Sequence, residues 1–229
     1  MKPDLYTVIL AGLVHATLQL GVGTLLLLYH ASLGKHVRRK TRELVTNYIL
    51  GNGFLTALAV AGAGFIIYIV CQGPMNPAML TIVVGVLVGL AVSVWAFYYR
   101  MGKSTELWLP KSIANFINKR AKLSDSNTEA FSLGMLACFA EFPFTLILIL
   151  VTANSILALP QALQILAIVI YALLSVLPLV VMRIVVRKGQ TVVDIQRWRI
   201  KNKNFIRVIS GIGFMVLAGF LLVFKILGA

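Results

Sequence analysis

Residues 129–154, EAFSLGMLACFAEFPFTLILILVTAN, form an apolar run that holds a carboxylate, Glu141, and a proline, Pro143, near its middle. A bilayer core about 30 Å thick takes about 20 mostly apolar residues in a helix, so this run reads as a transmembrane span. Glu141 lies about 12 residues into it, about 18 Å from its start and close to the bilayer centre. An ionised carboxylate at that depth is expensive, so it must be protonated, paired or open to a water-filled cavity. It is therefore a candidate for proton coupling or cation binding. The plainer reading is a protonated Glu141 that hydrogen-bonds Gln19 or Thr17 and only fixes helix packing.

The rest of the chain has the same character. Of its 229 residues 59% are hydrophobic and 12% charged, against a charged share of about 25% in soluble domains. Six runs reach membrane length, at about 5–31, 44–70, 78–99, 129–154, 162–182 and 205–227. The expected fold class is all-α, a polytopic membrane protein with six transmembrane helices. The first run follows a lone Lys2 and contains His15 and Gln19; it is too long for a signal-peptide core and reads as the first span.

Charge sets the expected orientation. Nineteen of the 21 Lys and Arg residues fall in segments 32–43, 100–127 and 183–207, whereas 71–79 and 155–162 carry no charge. Lys and Arg in short loops stay on the cytoplasmic side, so both termini are expected outside, in the plasma (inner) membrane. The net charge of +14 is thereby explained as topology. It calls for anionic lipid at the cytoplasmic face rather than for nucleic acid, because no soluble basic face exists.

Three regions follow: a first three-helix repeat (1–100), a cytoplasmic linker (101–127) and a second three-helix repeat (128–229). In the linker, TELWLPKSIANFINKRAKL (105–123) puts Ile113, Phe116 and Ile117 on one face and cations on the rest, as an interfacial amphipathic helix would. Ser126 and Glu129 then form a capping box that opens the fourth span.

Laying Gly12 over Gly134 aligns GLVHATLQLGVGT with GMLACFAEFPFTL, so that Gln19 falls on Glu141 and Gly21 on Pro143. Three spans per half is an odd number, so the halves must be inverted. Inverted repeats are a common plan of transporters, with substrate bound at mid-membrane where helices are interrupted. On this reading Glu141, Gln19, His15, Asn52 and Cys138 bind substrate or protons, and Gly21, Gly23, Pro143 and Pro178 break the helices at the site. His15 shares a face with Gln19 and is placed to relay protons, to ligate a metal with Glu141 and Cys138, or simply to hydrogen-bond in packing. Cys138 also fits as a small buried hydrophobe. Asn52, between Gly51 and Gly53, is a site wall or a close-packing element. Gly85–Gly89 and Gly62 with Gly64 read as interhelical contacts.

The layout resembles the lysine exporter (LysE-type) superfamily, which includes amino-acid and metal-ion exporters and the CcdA-type thiol carriers. The resemblance rests on the outward N-terminus, the 3+3 repeat and the last span, NKNFIRVISGIGFMVLAGFLL (202–222), with Arg207, Ser210-Gly211 and Gly219. It implies a secondary transporter or exporter of a small solute (cation, amino acid or metabolite). The thiol-carrier branch would need a cysteine in the first span, where the aligned residue is Ala16. An acidic Glu-x-Gly-Asp motif of a cation-exchanger branch is similar only at Gln19-Leu20-Gly21 and Glu141-Phe142-Pro143, both without the aspartate. The remaining readings are a membrane electron carrier and a non-transporting scaffold whose basic loops dock a partner. No nucleophile–base pair or phosphate loop can be assembled at one depth, so an enzyme is not expected and no cofactor is called for. Solute identity, and whether copies of the chain associate as a homo-oligomer, stay open at this level.

Overall fold

The computed structural model describes residues 3–18, 38–97, 111–124, 126–187, 197–198 and 201–228. Its elements are helices: α1 (Pro3–Thr17), α2 (Arg38–Cys71), α3 (Pro77–Phe97), α4 (Lys111–Leu123), α5 (Asn127–Leu157), α6 (Gln161–Ser175), α7 (Leu177–Arg187) and α8 (Lys203–Leu221). A π-helical turn, Leu222–Ile226, continues α8. α2, α3, α5 and α8 with its π-helical turn are long and apolar enough to cross a membrane. The pair α6–α7, bent by 44°, makes a fifth if it is one broken span. Large apolar side chains on their outer faces point away from the protein, Ile165 at 75% exposed and Val70 at 68% among them. Such an outer surface suits hydrocarbon and not water, and together with these apolar helices is consistent with an integral membrane protein.

The expected spans 44–70, 78–99 and 129–154 fall within or almost within α2, α3 and α5. α2 starts earlier, inside the basic segment, because Lys and Arg are good helix formers and can project beyond the bilayer. α5 opens on the anticipated capping box, the Ser126 side chain accepting from the Glu129 amide while the Glu129 carboxylate accepts from the Ser126 amide. Of the expected first span the structure describes only the part up to Leu18. Gln19, Gly21 and Gly23 lie outside the described residues, as does the linker before α4.

The two prolines behave differently. Pro178 does mark a break: α6 ends at Ser175, α7 starts at Leu177, and the Ser175 hydroxyl donates to the Ala172 carbonyl at 2.8 Å. At Pro143 the expected break does not occur, for α5 continues unbroken through it. A proline removes a single helical hydrogen bond, and a long helix packed on several neighbours tolerates that loss.

α5 is the central helix, packed along α2 and flanked by α1, α3, α4 and α6; α3 packs on α8, and α1 on α6 and α8. The α2–α5 crossing is set by two glycines. A Cβ on Gly134 would stand 2.0 Å from the Tyr48 carbonyl oxygen, and one on Gly51 would stand 2.0 Å from that of Phe131. Only glycine permits such an approach of two backbones. Gly12 instead takes side chains, those of Leu174 and Tyr171 of α6, and Gly211 receives the Trp95 indole. Gly62, Gly85 and Gly89 correct the sequence reading. All three are exposed, and among the described residues nothing lies within 4 Å of a Cβ built on any of them, so they face outward from the described helices. At the end of the bundle where α1 begins and α8 finishes, Lys225 on the π-helical turn forms an ion pair with Asp4.

Candidate functional site

Three helices bring the site together. α5 carries Glu141 about 21 Å from its first residue and about 24 Å from its last, at mid-length. The side chain is fully buried. α1 presents His15, 1% exposed, with Nε2 3.7 Å from Glu141 Oε2. That is an ion-pair distance if the ring is protonated, and longer than a hydrogen bond. α6 supplies Tyr171, also fully buried, whose hydroxyl is 2.9 Å from His15 Nδ1. The two rings stand 5.6 Å apart between centroids, tilted by 53°. Both ring nitrogens of His15 thus have defined surroundings: the tyrosine hydroxyl holds one, and the other looks at the carboxylate.

Below Glu141 on the same face, toward the start of α5, Cys138 meets Thr56 of α2, with Sγ and Oγ1 3.3 Å apart. The Thr56 proton is already given to the Asn52 carbonyl at 2.9 Å. The thiol is therefore the donor of the pair. Asn52 itself is tied to the Gly134 carbonyl through Nδ2 at 3.5 Å. Gly134 is two helical turns, about 10 Å, from Glu141. Asn52 thus belongs to the α2–α5 crossing, at the end of the polar cluster nearer the start of α5, not to the carboxylate's own surroundings.

Above Glu141, Thr152 lies beside the Tyr171 hydroxyl. Two residues further on, Asn154 Oδ1 accepts from the Met75 amide at 2.6 Å and fixes the loop between α2 and α3 against α5. A groove of about 680 Å³ opens there between α2, α5 and α6, lined by Val60, Gly64, Tyr68, Ala153, Ile156 and Gln164 among others. Another of about 440 Å³ lies between α4 and α5, beside Arg120, Ser124 and Ser132. Glu141 lines neither of these two grooves.

Of the expected site residues, Glu141, His15 and Cys138 come together, and Asn52 stands apart by two turns. Pro143 is exposed, on a face away from the cluster, and Pro178 lies past the α6 break. No group of three His, Cys, Asp or Glu side chains able to hold a metal ion occurs among the described residues. The thiol Sγ is committed to Thr56, and both cysteines are free rather than bridged. Tyr171, Thr152 and Asn154 escaped the sequence reading, although each is a polar group within or at the end of an apolar run. No family model matches the sequence, and no curated protein or solved structure is similar to the chain.

Proposed function

We propose that the protein is a secondary transporter that moves a small solute across the plasma (inner) membrane, coupled to protons through Glu141. The observation that carries this reading is a fully buried carboxylate at mid-helix facing a buried imidazole at 3.7 Å. Two ionisable side chains buried together at mid-helix in hydrocarbon are costly to keep there for packing alone. Proton transfer gives such a pair a purpose. Enzymatic chemistry is not part of this reading.

The proposal includes six spans in two inverted halves, with α6 and α7 as one broken span and α1 as the start of another. The packing supports it. α1 meets α6 at Gly12 while α5 meets α2 at Gly134; α1 meets α5, and α3 meets α8. Exchanging the first three spans with the last three leaves this pattern unchanged. Tyr48-x-Leu50-x-Asn52 opposite Gly134 then corresponds to Tyr171-x-Leu173-x-Ser175 opposite Gly12. The likeness to the lysine exporter superfamily belongs to the same proposal, with both termini outside and the basic segments on anionic lipid at the cytoplasmic face. The thiol-carrier alternative is opposed by Cys138 and Cys71, the first hydrogen-bonded to Thr56 and the second against Met79.

The test is solute movement in proteoliposomes under an imposed pH gradient, with amino acids and mono- and divalent cations screened in turn. Uptake that follows the gradient in sign and size supports the reading. A folded protein that moves none of these solutes faster than protein-free vesicles contradicts it.

A further inference from the structure

The hydroxyls of α5 are of two kinds. Thr145 donates to the Glu141 carbonyl at 3.1 Å, the usual back-bond of a helical threonine, as Thr7 does to Pro3 and Thr56 to Asn52. Thr152 and Ser155 are fully buried and make no such back-bond; Thr152 lies against the Tyr171 hydroxyl, and Ser155 Oγ has no hydrogen-bond partner among the described residues. Leaving a buried hydroxyl in that state costs stability, so its presence calls for a reason. Positions 141, 145, 152 and 155 follow one another by four, seven and three, which sets them on one face of the helix. From Glu141 to Ser155 this face climbs about 21 Å, the whole outer half of a span. Its far end shares a helix turn with Ala153 and Ile156, which wall the 680 Å³ groove.

We infer that this face is the outer half of a proton path, and that Glu141 receives its proton from the outer side through Thr152, Tyr171 and His15. The inference rests on Glu141 being the coupling group. A proton accepted by the Tyr171 hydroxyl from the Thr152 side releases the tyrosine's own proton to His15 Nδ1. The imidazolium so formed gives its Nε2 proton to the Glu141 carboxylate. One proton enters the ring, one leaves, and the ring is neutral again with hydrogen on Nδ1. His15 Nε2 has no hydrogen-bond partner among the described residues, so it is free to make this transfer. The 3.7 Å gap must shorten by about 0.7 Å to reach hydrogen-bond length.

The ionisable groups placed about the pair are Cys138 on α5 and Tyr171 on α6. α2 adds Thr56 and Asn52, which do not titrate, and Tyr48 at the Gly134 crossing; α3 carries no ionisable side chain. Lys119 and Arg120 of α4, Arg183 of α7 and Arg207 of α8 sit toward the basic ends of their helices, and at the other end Lys225 is engaged by Asp4.

The experiment follows the carbonyl stretch of protonated Glu141 by infrared difference spectroscopy, identified by its loss in Glu141→Gln, in vesicles holding the full chain in one orientation. After a pH jump on the outer side the band should grow promptly in wild type. Tyr171→Phe, which keeps the ring, and Thr152→Val, which keeps the shape, should each slow that growth at least tenfold. A band that answers only to the inner pH, that is as fast in both variants as in wild type, or that never titrates would overturn the path. If the band follows the outer pH while no solute moves, the path stands and the transport reading fails.

Discussion

Replacing Gly134 by alanine would put a methyl carbon 2.0 Å from the Tyr48 carbonyl oxygen, 2.9 Å from its carbon and 3.0 Å from the Asn52 nitrogen. All three are backbone atoms, so no side chain can swing aside. α2 and α5 would have to part by about 1.4 Å, the difference between 2.0 Å and the 3.4 Å at which ordinary contact begins. Overpacking costs about 1–3 kcal/mol, and a rigid obstacle argues for about 3. Alanine returns about 1 kcal/mol of helix propensity, leaving a net loss of about 2 kcal/mol. That is roughly a 30-fold fall in the ratio of folded to unfolded protein. The assay is SDS-driven unfolding in bicelles followed by tryptophan fluorescence. Gly85→Ala serves as the control, because nothing lies within 4 Å of its Cβ and it should be neutral or slightly stabilising. Equal midpoints for the two variants would refute the close crossing of α2 and α5.

Further outcomes are expected elsewhere. A membrane-impermeant maleimide added to intact cells should label Cys71, which is partly exposed at the end of α2, and leave buried Cys138 unmodified; labelling of Cys71 only from the cytoplasmic side would reverse the proposed orientation. A double-mutant cycle with Asp4→Asn and Lys225→Met should give a coupling of about 1–2 kcal/mol, between the values for exposed and buried pairs, since the side chains are 9% and 16% exposed. A coupling near zero would mean that the π-helical turn is not held to α1. Cys138→Ala should leave gradient-driven transport intact, because its thiol serves the α2 contact to Thr56; loss of transport at normal folding would bring the thiol back into the chemistry.

Much of this organisation could be read in one dimension. Apolar length marked α2, α3, α5 and the last span, the Ser126–Glu129 pair marked the start of α5, and Pro178 marked the bend. Glu141 and His15 were legible because an ionisable group within an apolar run is conspicuous wherever the helix turns. Tyr171 was not, because an aromatic ring is at home in hydrocarbon and its hydroxyl matters only once His15 stands beside it. Glycines posed a similar difficulty. Gly51 and Gly85 look alike in sequence, but one faces a backbone and the other faces outward, and that depends on which side of each helix meets a neighbour. Their surroundings hold the clue: Gly51 adjoins Asn52, a polar residue that must point inward, whereas the neighbours of Gly85 are all apolar. Asp4 and Lys225 are 221 residues apart, and only the closing of the bundle brings them together. Pro143 misled for a different reason, since one lost hydrogen bond need not end a helix held on several sides.

The central claim is that Glu141 carries the coupled proton, and the direct measurement compares wild type with Glu141→Gln in proteoliposomes, using a solute that the wild type accumulates under a pH gradient. Glutamine keeps the shape and the hydrogen-bonding capacity of the protonated acid but cannot exchange a proton. The variant should fold normally and still exchange labelled for unlabelled solute, yet fail to accumulate it whatever the gradient. Accumulation by Glu141→Gln equal to wild type at every pH would contradict the account and return the glutamate to a packing role.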